Sequence, residues 1–116
     1  MIQYYHNPRC SKSRKGLELL KTEVSDPEII DYLKNPISFN ELLSTVKKIG
    51  IVPEELIRKN EAVYKEKFKG KSLSDEAWIQ AMIDHPKLME RPILIINDKA
   101  VIGRPPEKIF DLIKSK

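Results

Sequence analysis

The first third of the chain is its most restrictive feature, because three segments of different periodicity follow one another there with a break between each. Ile2–Tyr5 is apolar and aromatic and reads as a buried strand. Asn7-Pro8 ends it, and Leu17, Leu19, Leu20 and Val24 then mark a helix from about Cys10 to Thr22. Ser25-Asp26-Pro27 is a turn. Glu28–Leu33 reads as a second strand, with Ile29 and Ile30 at its centre and Asn35-Pro36 closing it. A strand, a helix and a strand within about thirty residues make a βαβ unit.

The middle of the chain is helical. Ser38 and Glu41 have the spacing of a capping box, and Phe39, Leu42, Leu43, Val46 and Ile49 keep one face until Gly50 ends the helix. Pro53-Glu54-Glu55 opens a short second helix, with a proline and acids where a helix start tolerates them. Ser74 caps a third, with Asp75 and Glu76 in its first turn and Leu73 and Trp78 spaced as a hydrophobic staple. That helix ends near His85-Pro86, where His85 reads as a capping residue. Pro92 then precedes a strand, Ile93–Asn97. Asp98-Lys99 is expected to turn a hairpin into Ala100–Gly103. Pro105 and Pro106 can only start a helix, and Ile109, Leu112 and Ile113 give that helix its apolar face. The order predicts an α/β protein: a thioredoxin-like fold with a mixed four-stranded sheet and a helical insertion between the second and third strands.

Composition narrows the class. With 116 residues the chain is expected to form one domain, residues 1–116, large enough to bury a core without staples. The longest unbroken apolar run is Ile93–Ile96, so no membrane helix is expected. Met1–His6 has neither the charged start nor the apolar stretch of a signal peptide. A single cysteine suits the reducing cytoplasm. The net charge of +4, from 21 Lys and Arg against 17 Asp and Glu, is interspersed, with no basic block for nucleic acid. No metal constellation is expected from two histidines and one cysteine. A monomer is expected, since no apolar seam is left over after the core is assigned.

The chemistry concentrates at Cys10. A cysteine in the loop between a first strand and a first helix meets free backbone N–H groups and the positive end of the helix dipole, which favour its thiolate. His6, Arg9, Lys12 and Arg14 add positive potential, and Asn7, Ser11 and Ser13 add donors. A buried structural cysteine would have apolar neighbours, and these are Pro8, Arg9, Ser11 and Lys12. The partner cysteine of a dithiol motif is replaced by Ser13. The arginine that a cysteine-dependent phosphatase loop places six positions on is replaced by Gly16. A lone thiolate remains, which must take its second thiol from another molecule.

The run His6-Asn7-Pro8-Arg9-Cys10-Ser11-Lys12-Ser13-Arg14 resembles the active-site loop of the glutaredoxin-coupled arsenate reductases, the ArsC family. The likeness continues through Tyr32-Leu33-Lys34-Asn35-Pro36, Leu56-Ile57-Arg58-Lys59-Asn60 and Tyr64. It resumes at Met82, His85-Pro86, Leu88, Arg91-Pro92-Ile93 and Gly103-Arg104-Pro105, so that it covers nearly the whole chain in order. The resemblance implies that Cys10 is the nucleophile and that His6 and Ser13 help to activate it. It further implies that Arg58, Arg91 and Arg104 surround the oxyanion. Asn7, Arg14 and Pro92 are supporting residues of the loop, Pro92 being the proline that is cis in thioredoxin-like folds.

The implied reaction is reduction of arsenate, with no bound cofactor, glutathione as thiol co-substrate and glutaredoxin as partner. Three fixed arginines fit a tetrahedral dianion, because each planar guanidinium can bind two oxygens at once. Arg9 stands where well-described members carry a small residue, and the loop is more similar to a chromosomal, arsenate reductase-like branch. The extra cation can tighten oxyanion binding or orient a glutathione carboxylate. Two other readings use the same loop: a glutathione-dependent thiol/disulfide reductase that does not act on arsenate, and an Spx-like redox-linked transcription regulator. The latter works through a cysteine pair that this chain lacks.

Overall fold

The structure, a computed structural model, describes residues 2–115. The chain groups into two compact units, Met1–Asn35 with Arg91–Lys116, and Pro36–Glu90. The segment expected as a helical insertion is the second of them.

The first unit holds the sheet. Its strands are β1 (Ile2–His6), β2 (Glu28–Asp31), β3 (Ile93–Ile96) and β4 (Lys99–Ile102), in the order β2-β1-β3-β4. β1 runs parallel to β2, with Tyr4 beside Ile29, and antiparallel to β3, with Tyr4 beside Leu94; β3 and β4 form a hairpin. Helix α1 (Ser11–Glu23) joins β1 to β2, as a parallel pair requires, and α5 (Glu107–Ser115) follows β4. This is the thioredoxin-like arrangement. Tyr4, Leu20, Leu94, Ile96 and Ile109 form the core between sheet and helices, with Leu17, Val24 and Leu112 at its edge. Burial of this set is the main stabilising term for the unit.

The second unit contains α2 (Phe39–Ile49), α3 (Ala62–Lys67) and α4 (Asp75–Asp84), with short 3₁₀ turns at Pro53–Leu56 and Pro86–Leu88. Ser38 Oγ accepts from the Glu41 N–H at 3.1 Å, and Ser74 Oγ from the Ala77 N–H at 3.2 Å, so both serines cap their helices. Gly50 ends α2 at φ 85°, a left-handed conformation that costs glycine least. Among the described residues no helix is long and apolar enough to cross a membrane.

Three local readings change. β2 stops at Asp31 rather than Leu33, because Asp31 Oδ1 accepts from the Leu33 N–H and the Asp31 carbonyl from those of Lys34 and Asn35. An aspartate that offers its own acceptors competes with the strand ladder. The hairpin turns on Asn97-Asp98, one residue earlier than Asp98-Lys99, since Ile96 pairs with Lys99 and Asn97 takes φ 54°. Asparagine tolerates that left-handed backbone better than most residues. The short helix expected to open at Pro53 is a four-residue 3₁₀ turn, and helix α3, for which the sequence gives no signal, has Glu61 at its N-cap without a side-chain cap bond and runs only six residues.

Candidate active site

Cys10 is the N-cap of α1, with extended backbone (φ −95°, ψ 120°), and its thiol is half-buried. The loop in front of it is tied down by short bonds. The Cys10 N–H donates to the Asn7 carbonyl at 3.0 Å, the Arg9 N–H to Asn7 Oδ1 at 3.0 Å, and Arg14 Nη1 to the Pro8 carbonyl at 2.8 Å. Asn7 and Arg14 thus hold the loop from its two ends. Behind it, the Cys10 carbonyl accepts the Arg14 N–H at 3.0 Å, which starts the helix.

Burial alone would push the thiol pKa up. The Ser13 N–H, the Arg91 guanidinium through a hydrogen bond and its charge, and the Lys12 N–H together outweigh that, and the thiol lies below its ordinary value of 9.0. Arg91 is half-buried, and its Nε and Nη1 are buried without a hydrogen-bond partner among the described residues. It precedes Pro92 through a cis peptide bond, the isomer the family resemblance implied. The Pro92 carbonyl accepts the Gly103 N–H at 2.8 Å, and a Cβ on Gly103 would lie 3.0 Å from Pro92 Cγ, so glycine permits this close approach.

His6 reaches the site through Ser13 and makes its hydrogen bond there. His6 Nδ1 and Ser13 Oγ share a 2.7 Å hydrogen bond, and Ser13 Oγ also accepts the Asn7 N–H at 3.0 Å. Burial lowers the His6 pKa, with Lys21 and Arg14 adding to the effect and Asp31 opposing it. The imidazole is therefore neutral at pH 7, and its bond is to the hydroxyl of Ser13, a residue with no exposed surface.

A strand ending in histidine, a cysteine at the following helix start and an arginine next to a cis-proline now share one compact unit. The ArsC family model matches residues 5–112 of the chain. The chain belongs to the ArsC family. It is 49% identical to the uncharacterized protein YfgD of Escherichia coli K12, over 97% of this chain and 96% of that one. It is 42% identical to an arsenate reductase of Haemophilus influenzae, over 94% and 96% of the two chains. Among solved structures, an arsenate reductase from Vibrio cholerae superposes with a TM-score of 0.90 at 43% identity, covering 95% of each chain.

The remaining ArsC-type positions are placed differently. Arg104 is half-buried just after β4, its N–H donating to the Ile102 carbonyl at 2.9 Å, in the same unit as Cys10. Arg58 belongs to the other unit, where its N–H donates to the Leu88 carbonyl at 2.7 Å. Its guanidinium is engaged by two acids, Glu61 at 2.7 Å and Glu90 at 3.4 Å. Sequence reading named neither acid, although Arg58 and Glu61 have the i, i+3 spacing of a helical ion pair. It also passed over Tyr4, whose phenol donates to the Ser13 carbonyl at 2.7 Å. The signal available was its alternation with His6 on one face of β1.

Proposed function

We propose that the protein is an arsenate reductase-type thiol oxidoreductase working through the Cys10 thiolate. One observation carries the reading: the only cysteine of the chain sits at a helix start, where two backbone N–H groups and Arg91 favour its ionised form. Family membership and the arsenate reductases among its relatives supply the substrate class.

The thiolate sulfur attacks arsenic(V). An S–As bond forms and an As–O bond breaks, with the oxygen leaving as hydroxide and taking a proton from solvent. Arg91 has buried N–H groups, without a partner among the described residues, to offer the oxyanion. By family likeness Arg104 supplies a further contact from the same unit, and Arg58, whose guanidinium is engaged by Glu61 and Glu90 in the other unit, is the third arginine that the likeness names. Ser13 and neutral His6 fix the loop and its donors. Glutathione then attacks the Cys10 sulfur. The S–S bond forms as the S–As electron pair stays on arsenic, which leaves as arsenite, and two thiols have supplied the two electrons. Glutaredoxin takes the glutathionyl group and frees Cys10, a cycle suited to the cytoplasm.

The test is NADPH consumption by the purified protein with arsenate, glutathione, glutaredoxin and glutathione reductase. Arsenate-dependent turnover is expected, and it should disappear in Cys10→Ser. Turnover that survives in Cys10→Ser, or none in a wild-type protein whose Cys10 alkylates readily, contradicts the reading. The latter result, with activity on a glutathionylated peptide, would identify a thiol/disulfide reductase instead.

A further inference from the structure

Ser13 offers the thiolate its N–H, and each of its other polar atoms is held by a neighbour. Its hydroxyl is held by His6 and the Asn7 N–H. Its carbonyl accepts from the phenol of Tyr4 at 2.7 Å. Tyr4 and His6 alternate on one face of β1, their rings 5.8 Å apart, so a single strand face grips both the side chain and the main chain of Ser13. Tyr4 has no exposed surface, and a buried phenol needs an acceptor. Burial also pushes its ionisation well above the ordinary tyrosine range, so it remains a donor wherever Cys10 titrates.

The phenol reaches this carbonyl because Gly16, one turn further along α1, has no side chain. A Cβ there would collide with the Tyr4 hydroxyl and come within 2.9 Å of Ile109 Cδ1. Glycine inside a helix is otherwise unfavourable, which marks the position as one where space matters more than helix propensity.

We propose that Tyr4 is a positioning residue of the Cys10 centre, holding the first turn of α1 where the Ser13 and Lys12 N–H groups serve the thiolate, with Gly16 as the opening that admits it. The inference rests on the reading of Cys10 as the working thiolate and adds a residue that acts on it through the backbone. Removing the phenol oxygen loosens the turn and weakens the donors to sulfur, although no atom in contact with Cys10 has changed.

The experiment is the rate of Cys10 alkylation against pH in Tyr4→Phe, with Tyr5→Phe as a control. The control removes a buried phenol from the opposite face of the same strand. The Tyr4→Phe midpoint should rise by about half a pH unit, roughly a three-fold loss of thiolate below the midpoint, while Tyr5→Phe stays at the wild-type value. A folded Tyr4→Phe with an unchanged midpoint, or an equal rise in both variants, overturns the proposal. If Tyr4→Phe does not fold, Tyr4→Phe/Gly16→Ala/Ile109→Val replaces it, since the alanine methyl group occupies the space of the lost oxygen without restoring its hydrogen bond and the shorter valine removes the Ile109 Cδ1 it would meet; the same two outcomes apply. Arsenate turnover is read in parallel on wild-type protein. Its absence would remove arsenate as the substrate and leave the effect of Tyr4 on the thiolate intact.

Discussion

Helices α1 and α4 begin in opposite ways. At α4 a serine hydroxyl closes the first turn, and Asp75 and Glu76 meet the positive end of the dipole. At α1 the N-cap is a cysteine, which brings a sulfur where α4 has a hydroxyl, and the first turn has no acid and carries Lys12 and Arg14. Every rule for stabilising a helix start is followed in α4 and broken in α1. The N–H groups that α4 spends on its own cap are kept in α1 for an anion, the Cys10 thiolate. Under the proposed function, local stability is given up there for a reactive sulfur, as is common at functional sites.

The largest effect should come from making α1 resemble α4. Cys10→Ser installs a hydroxyl cap, so turnover should fall to the protein-free level. At a pH where the thiol is protonated, the variant should gain up to about 1 kcal/mol in chemical denaturation. A variant less stable than wild type there would break the comparison. Replacing Arg91 by alanine removes the charged donor from the thiolate. We expect kcat/KM to fall by about 10- to 100-fold and the alkylation midpoint to rise, whereas Arg91→Lys should restore part of both.

Ser74→Ala is the converse change. It should cost about 1 kcal/mol in unfolding free energy and leave the Cys10 midpoint where it was. Lys12→Glu gives α1 the acid that α4 has. It should stabilise the helix by about 0.3–1 kcal/mol while raising the alkylation midpoint, a trade visible only if the dipole end serves the sulfur.

A stability profile against pH sharpens the same point. The thiol pKa is lower folded than unfolded, so between the two values the unfolded chain binds more protons. Stability should therefore rise with pH from the folded midpoint towards the ordinary thiol value, and be lost as pH falls through that midpoint. The rise should be missing in Cys10→Ser, as denaturant midpoints of the two proteins across that window would show.

What could be read in advance divides along similar lines. The caps of α2 and α4 were legible because Ser38 and Ser74 act on amides three residues away. The break at Asn7-Pro8, the helix after it and the apolar β3 were legible from local periodicity. The end of β2 and the hairpin turn were misplaced because single side chains, Asp31 and Asn97, decide them through hydrogen bonding and backbone tolerance. At the site, Cys10 stood out by position and neighbours. Arg91 was found only through the family likeness, since its approach to Cys10 joins segments about eighty residues apart in the chain. Nothing in a tyrosine of an apolar strand announces that its hydroxyl meets the Ser13 carbonyl, and an arginine such as Arg58 does not show on its own that two glutamates hold it.

The central claim is that the start of α1 is built for a thiolate, and the rate of Cys10 alkylation by iodoacetamide as a function of pH in the wild-type protein tests it most directly. The account predicts a midpoint below the ordinary thiol value of 9.0, moving upward when Arg91 is replaced by alanine. A midpoint at or above that value, indifferent to Arg91, would show that Cys10 is an ordinary cysteine and contradict the account.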